Sequence, residues 1–183
     1  GSGVGIDTQT NGGNLSTINL GATSTVSATS GNAITNNGGN SIVNVANGAV
    51  ITGTVLLNDG SDTFNVAAGT NLAGITSLNG GDDLLVGDGF VDNLNLNGWT
   101  GNLVGANILN WEFININGGT VGFSDAAITA GQVNVNNFGT FNGSNNLAVT
   151  GNVAVASGSN LIAGNATGTN AMLITGNLSN FGN

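Results

Sequence analysis

Any chemistry in this chain must come from carboxylates. The sequence holds nine Asp and Glu residues and no Lys, Arg, His or Cys, which removes thiol and imidazole nucleophiles and every cation that could pair an acid. Six of the acids, Asp59, Asp62, Asp82, Asp83, Asp88 and Asp92, fall within 34 residues, and nothing after Asp125 is charged. The segments Asn58-Asp59-Gly60-Ser61-Asp62-Thr63-Phe64 and Asn79-Gly80-Gly81-Asp82-Asp83-Leu84-Leu85 align 20 to 21 residues apart, so their carboxylates are expected to stack on adjacent turns of a repeat. Two carboxylates one strand spacing apart repel by about 1 kcal/mol in water, and by more where solvent is partly excluded. A Ca²⁺ ion would remove that repulsion and take the carboxylate and carbonyl oxygens it prefers, which makes the six acids a candidate calcium corner. The plainer reading is a set of solvated acids at exposed turns that discourage edge pairing, and Gly/Asp motifs match by chance often enough to favour it.

As catalysts the same acids are poorly placed. A glycoside hydrolase needs two carboxylates set roughly 5 to 10 Å apart across a groove. Asp82 with Asp62 or Asp83 could meet that spacing, but on a corner with no aromatic platform evident around it. The chain is therefore expected not to be an enzyme, with a polysaccharide-degrading activity as the lesser alternative.

The elements that position these residues are short strands. Val, Ile, Thr, Phe, Asn and Gly dominate, strong helix formers are scarce, and Gly alone accounts for 33 of 183 residues, a vocabulary of strands and turns. The inward members of successive alternating strands are Ile18/Leu20, Val43/Val45, Phe64/Val66, Leu84/Val86, Leu94/Leu96, Ile114/Ile116, Val133/Val135 and Val153/Val155. Their spacing is close to 20 residues, apart from 25 at the first step and 10 between Leu84 and Leu94. The short step reads as one enlarged coil or insertion around 84–112. Short strands lie between these markers, so each coil of about 20 residues carries three, the pattern of an all-β, single-stranded parallel β-solenoid. No linker divides the chain, and residues 1–183 read as one domain. Asn44, Asn65, Asn95, Asn115 and Asn134 alternate with the inward residues and should stack as a ladder of amide hydrogen bonds outside the coil. The pairs Gly12-Gly13, Gly38-Gly39, Gly80-Gly81 and Gly118-Gly119 are expected at corners with positive φ.

A net charge of −9 without a single cation argues against nucleic acid as a partner and against an anionic membrane surface. No apolar run is long enough to span a bilayer as a helix, and no signal-peptide pattern opens the chain. Absence of Cys and of trypsin-type cleavage sites suits a protein exposed outside the cell.

The block Leu96-Asn97-Gly98-Trp99-Thr100-Gly101-Asn102-Leu103, followed by Leu109-Asn110-Trp111-Glu112-Phe113-Ile114-Asn115-Ile116-Asn117-Gly118-Gly119-Thr120, resembles the repeats of bacterial autotransporter passenger domains. In that family a Gly-aromatic-x-Gly turn precedes an Asn-aromatic-Glu strand start and a Gly-Gly corner. The resemblance is clearest over residues 79–160. It implies a right-handed parallel β-helix, an extracellular or bacterial cell-surface location, and roles in adhesion, aggregation or display. The 183 residues include no membrane barrel of the kind the family pattern places after the repeats, so the chain is expected either to be a fragment or to reach the outside by another route. Asp83/Leu85 and Asp92/Leu94, nine residues apart with Gly81 and Gly87 nearby, also resemble in part the nonapeptide of RTX calcium β-rolls. The expected function is thus a non-catalytic structural or adhesive rod that self-associates end to end and meets neighbouring-cell surfaces or glycans. A calcium-dependent adhesion module is the alternative, and otherwise no cofactor is expected. Trp99 and Trp111 are expected to cap the core or cover the insertion, with sugar stacking as the competing role. Glu112 is expected to bond a corner backbone group.

Overall fold

The computed structural model describes residues 3–9, 14–81, 84, 86–143, 145–164 and 170–183. Every strand pairing among them is parallel, and the strands stack into a β-solenoid of about seven turns. The only helical segment described is the 3₁₀ turn Gly105–Asn107.

The longest face is a nine-stranded sheet in which Leu15–Leu20, Asn40–Val45, Thr63–Ala67, Asn93–Asn97, Phe113–Asn117, Ala127–Asn136 and Ala148–Val155 follow one another. Its last strand pairs with both Leu173–Ile174 and Leu178–Asn180. The register runs Ile18 to Val43, Phe64, Leu94, Ile114, Val133 and Val153. All seven side chains are buried, so the period-two pattern of the sequence puts one apolar column in the core. Beside it the amides form the expected ladder: Asn44 Nδ2 donates to Asn19 Oδ1 at 2.7 Å, and Asn65, Asn95, Asn115 and Asn134 each donate to the preceding Asn at 2.8 Å. A second, shorter row runs Asn97, Asn117, Asn136.

Leu84 and Val86 do not occupy this face. Phe64 pairs with Leu94, so this coil takes 30 residues, and Val86 is 51% exposed in a turn. The strict alternation Asn93-Leu94-Asn95-Leu96-Asn97 offers both the core column and the amide ladder. The run Val86-Gly87-Asp88-Gly89 offers neither, and its glycines are costly to fix in a strand.

The other faces are a five-stranded sheet (Ile6–Thr8, Thr25–Asn36, Val50–Leu56, Ile75–Asn79, Ile108–Leu109) and a four-stranded sheet (Gly101–Leu103, Thr120–Phe123, Thr140–Asn142, Asn160–Ile162). Three separate short strands per coil hold over residues 93–123. Elsewhere a single strand turns a corner: Thr25–Asn36 and Val50–Leu56 at register shifts near Gly31 and Gly53, whose φ values are 128° and 117°, and Ala127–Asn136 against Ala148–Val155 at one between Thr129 and Gln132. The four-stranded sheet begins abruptly, because the coil before it makes only the bridge Val50 to Asn71 at that face.

Gly38, Gly39, Gly118 and Gly119 have positive φ as expected, and Gly12 and Gly13 lie outside the described residues. Gly80 and Gly81 are glycine for a different reason. Neither has positive φ, but a Cβ on Gly80 would stand 2.2 Å from the Asn110 carbonyl oxygen, and one on Gly81 1.9 Å from that of Asn58. Backbone from two neighbouring coils closes on this corner.

Candidate functional site: a buried acid column

The residue two positions before each inward marker is Ser41, Asp62, Asp92 and Glu112, before Val43, Phe64, Leu94 and Ile114. Strand register stacks these four at one corner of consecutive coils. Ser41, Asp62 and Asp92 are fully buried, and Glu112 is 1% exposed.

Each carboxylate reaches back one coil to a backbone donor. Asp62 Oδ1 accepts from the Ser41 N–H and the Ser41 hydroxyl, both at 2.5 Å. Asp92 Oδ1 accepts from the Asp62 N–H at 2.7 Å, and Glu112 Oε2 from the Asp92 N–H at 2.5 Å. The Asp62 and Asp92 N–H groups lie just before their strands and that of Ser41 at the second residue of Asn40–Val45, and a buried donor left unmatched would cost about 1–3 kcal/mol. The column ends at Gly131, which has no side chain to continue it and where a Cβ would stand 2.7 Å from the Glu112 carbonyl oxygen.

No cation balances these acids, since the chain contains none. Two ionised carboxylates one coil apart, about 4.8 Å, repel by about 3.5 kcal/mol at an effective dielectric constant of about 20. A hydrogen bond to a charged group returns about 1.5–3 kcal/mol. Cohesion here comes from the backbone hydrogen bonds, and charge works against it.

The expected alignment of Asp62 with Asp82 is replaced by that of Asp62 with Asp92, because the coil between them is the enlarged one. Asp82 and Asp83 lie outside the described residues. The reading of solvated acids holds for Asp59 and Asp88, which are exposed, and fails for Asp62 and Asp92. Asp88 closes a local turn by accepting the Phe90 N–H at 3.0 Å. Among the described residues no three acids converge on a point that could hold a metal ion.

Sequence reasoning did not single out Asp125, which acts on the same plan. Its Oδ1 and Oδ2 accept the N–H groups of Gly105 and Ala106 at 2.5 and 2.8 Å, again one coil back. The available signal was its spacing, 20 residues after Gly105.

Both tryptophans are core residues tied to backbone. Trp111 is fully buried with Nε1 donating to the Leu78 carbonyl at 3.1 Å. Trp99 Nε1 donates to the Thr70 carbonyl at 2.8 Å, and its ring lies against Gly101, where a Cβ would stand 2.8 Å away. The indole thus closes the gap left where the four-stranded sheet begins. A groove of about 480 Å³ remains beside it, lined by Leu72, Ile75, Leu78, Trp99, Leu103 and Ile108 among others, with no titratable group on its wall. This groove and the acid column are therefore apart, while Asp125 lines a smaller concavity of about 150 Å³ with Gly105, Ala106 and Ile108.

Compared with protein-family models, with curated proteins and with solved structures, the chain matches none. What the chain itself defines is a class: a parallel β-solenoid whose outward amides and buried corner acids join coil to coil.

Proposed function

We propose that this chain is a non-catalytic structural and adhesive rod of an extracellular or bacterial cell-surface protein, of the passenger-domain kind that its Gly-Trp-x-Gly and Asn-Trp-Glu repeats resemble. The observation that carries this reading is the fate of the acids. In a chain whose titratable side chains are all carboxylates, those of Asp62, Asp92, Glu112 and Asp125 are engaged by backbone N–H groups of the neighbouring coil. Groups held in this way stiffen a repeat and are withheld from a substrate.

Association along the rod axis belongs to the same proposal. Ile162, Leu173, Leu178 and Phe181 on the last rungs are 42 to 77% exposed, and a further rung laid upon them would bury them, whichever chain supplies it. The test is retention of beads coated with the 183-residue chain on bacterial cells, on glycan-coated glass and on glass coated with the same chain, under flow. Retention above that of albumin-coated beads on at least one surface is expected, with no release of reducing ends from neutral or acidic polysaccharides. Beads that wash away from all three surfaces, or polysaccharide cleavage, would overturn the proposal.

A further inference from the structure

One corner of the solenoid is a column of left-handed residues. Gly48, Gly69, Gly119 and Gly158 occupy it with φ of 89°, 76°, 74° and 80°, in the register set by Val45, Val66, Ile116 and Val155 three positions earlier. On the coil between Gly119 and Gly158 the residue is Phe138, at φ 62°. A bulky side chain is a rare occupant of this region. The coils on either side meet the same need with Gly119 and Gly158, and at the non-glycine equivalents Thr23 and Trp99 φ is not positive. The strain does not serve the core, because Phe138 is 80% exposed, the most exposed large apolar residue described. Its ring lies over Gly158, where a Cβ would stand 2.7 Å from Cε1. One side of the ring is thus held against backbone while the rest stands in solvent.

Strain kept for an exposed side chain points to use of that side chain. We propose that Phe138 is a stacking platform for a sugar ring of an uncharged glycan, a ligand that rests on the adhesive reading above and gives it a contact point. An aromatic face takes the C–H face of a sugar, and the hydroxyls need neutral donors and acceptors around it. Amides supply these: Asn117 and Asn136 end the second amide row at the foot of this turn, and exposed Asn137 precedes the ring at φ 52°. Charge narrows the class, since a chain of net charge −9 with no cation repels sialylated or uronic glycans.

The substitution Phe138→Gly separates binding from folding, because it restores the residue that the column otherwise uses. Saturation-transfer NMR with lactose, maltose and N,N′-diacetylchitobiose as probes is expected to show transfer to the sugar C–H protons with the native chain. Affinity should fall at least tenfold in Phe138→Gly and in Phe138→Asn, which also tolerates the left-handed region. Melting temperature should be unchanged or raised by up to about 4 °C in Phe138→Gly. The proposal is overturned by equal transfer in the variants, by no transfer to any probe with the native chain, or by a melting temperature that falls by several degrees, which would make the ring a packing residue. Loss of self-association in Phe138→Gly without sugar transfer would assign the ring to a second copy and equally overturn it. Beads coated with Phe138→Gly that are still retained under flow would leave the adhesive reading standing while removing this one.

Discussion

Replacing Asp92 separates the two roles of its carboxylate, acceptor and charge. Asp92→Ala removes the acceptor of the Asp62 N–H and leaves a small void in a corner that is fully buried. An unmatched buried donor costs about 1–3 kcal/mol, and the void adds to it, so Asp92→Ala should be about 2–4 kcal/mol less stable than Asp92→Asn, which removes the same charge. Asp92→Asn keeps an oxygen facing the Asp62 N–H and removes the charge between Asp62 and Glu112. Relief of up to about 3.5 kcal/mol of repulsion per ionised neighbour outweighs the weaker acceptor, so Asp92→Asn should be as stable as the native chain or more stable. Urea unfolding at pH 8, followed by far-ultraviolet circular dichroism, reads both changes as shifts in midpoint at constant slope. An Asp92→Asn midpoint at or above the native one, with that of Asp92→Ala well below Asp92→Asn, is expected. If Asp92→Asn unfolds well below the native chain, the column depends on ionised carboxylates and the electrostatic argument is wrong. If the two variants share one midpoint, the hydrogen bond to the Asp62 N–H carries no stability.

The amide ladder predicts a cost that depends on position: Asn115→Ala breaks two ladder hydrogen bonds, to Asn95 and Asn134, and a longer one to Asn93 at 3.4 Å, and should lose about 1–2 kcal/mol, while Asn19→Ala at the end of the row breaks one and should lose about half as much in the same urea assay. Gly81→Ala sets a Cβ 1.9 Å from the Asn58 carbonyl oxygen and should cost more than about 3 kcal/mol or prevent folding, whereas Gly87→Ala, with no atom within 4 Å, should fall within about 0.5 kcal/mol of the native chain. Both indoles are buried, so native fluorescence should be blue-shifted and resist acrylamide. Trp111→Phe should lose about 1–3 kcal/mol by freeing the Leu78 carbonyl in the core, readable as a lower urea midpoint.

Much of this architecture was legible because a solenoid writes its register into its spacing. Ile18, Val43, Phe64, Leu94, Ile114, Val133 and Val153 fall in the same slot of successive coils, and the Asn residues beside them state which side faces outward. Leu84 and Val86 misled because a hydrophobic pair at 20-residue spacing looks like a rung, and only competition with Asn93–Asn97 for the same sheet excludes it. That one slip moved the acid alignment from Asp82 to Asp92. Burial of the acids was harder to see, since a carboxylate in a Gly-rich stretch reads as a surface turn unless its fixed offset before each inward residue is noticed. Phe138 gave no periodic signal, because its strain appears only when the left-handed column is assembled from several coils.

The claim that these acids join coils is most directly tested by carboxyl footprinting of the folded chain with a carbodiimide and an amine, read residue by residue by mass spectrometry. Asp59 and Asp88 should be modified rapidly, and Asp62, Asp92 and Glu112 only after unfolding. Modification of Asp62, Asp92 and Glu112 at the rate of Asp59 would place them in solvent, within reach of a metal ion or a substrate, and would contradict the account.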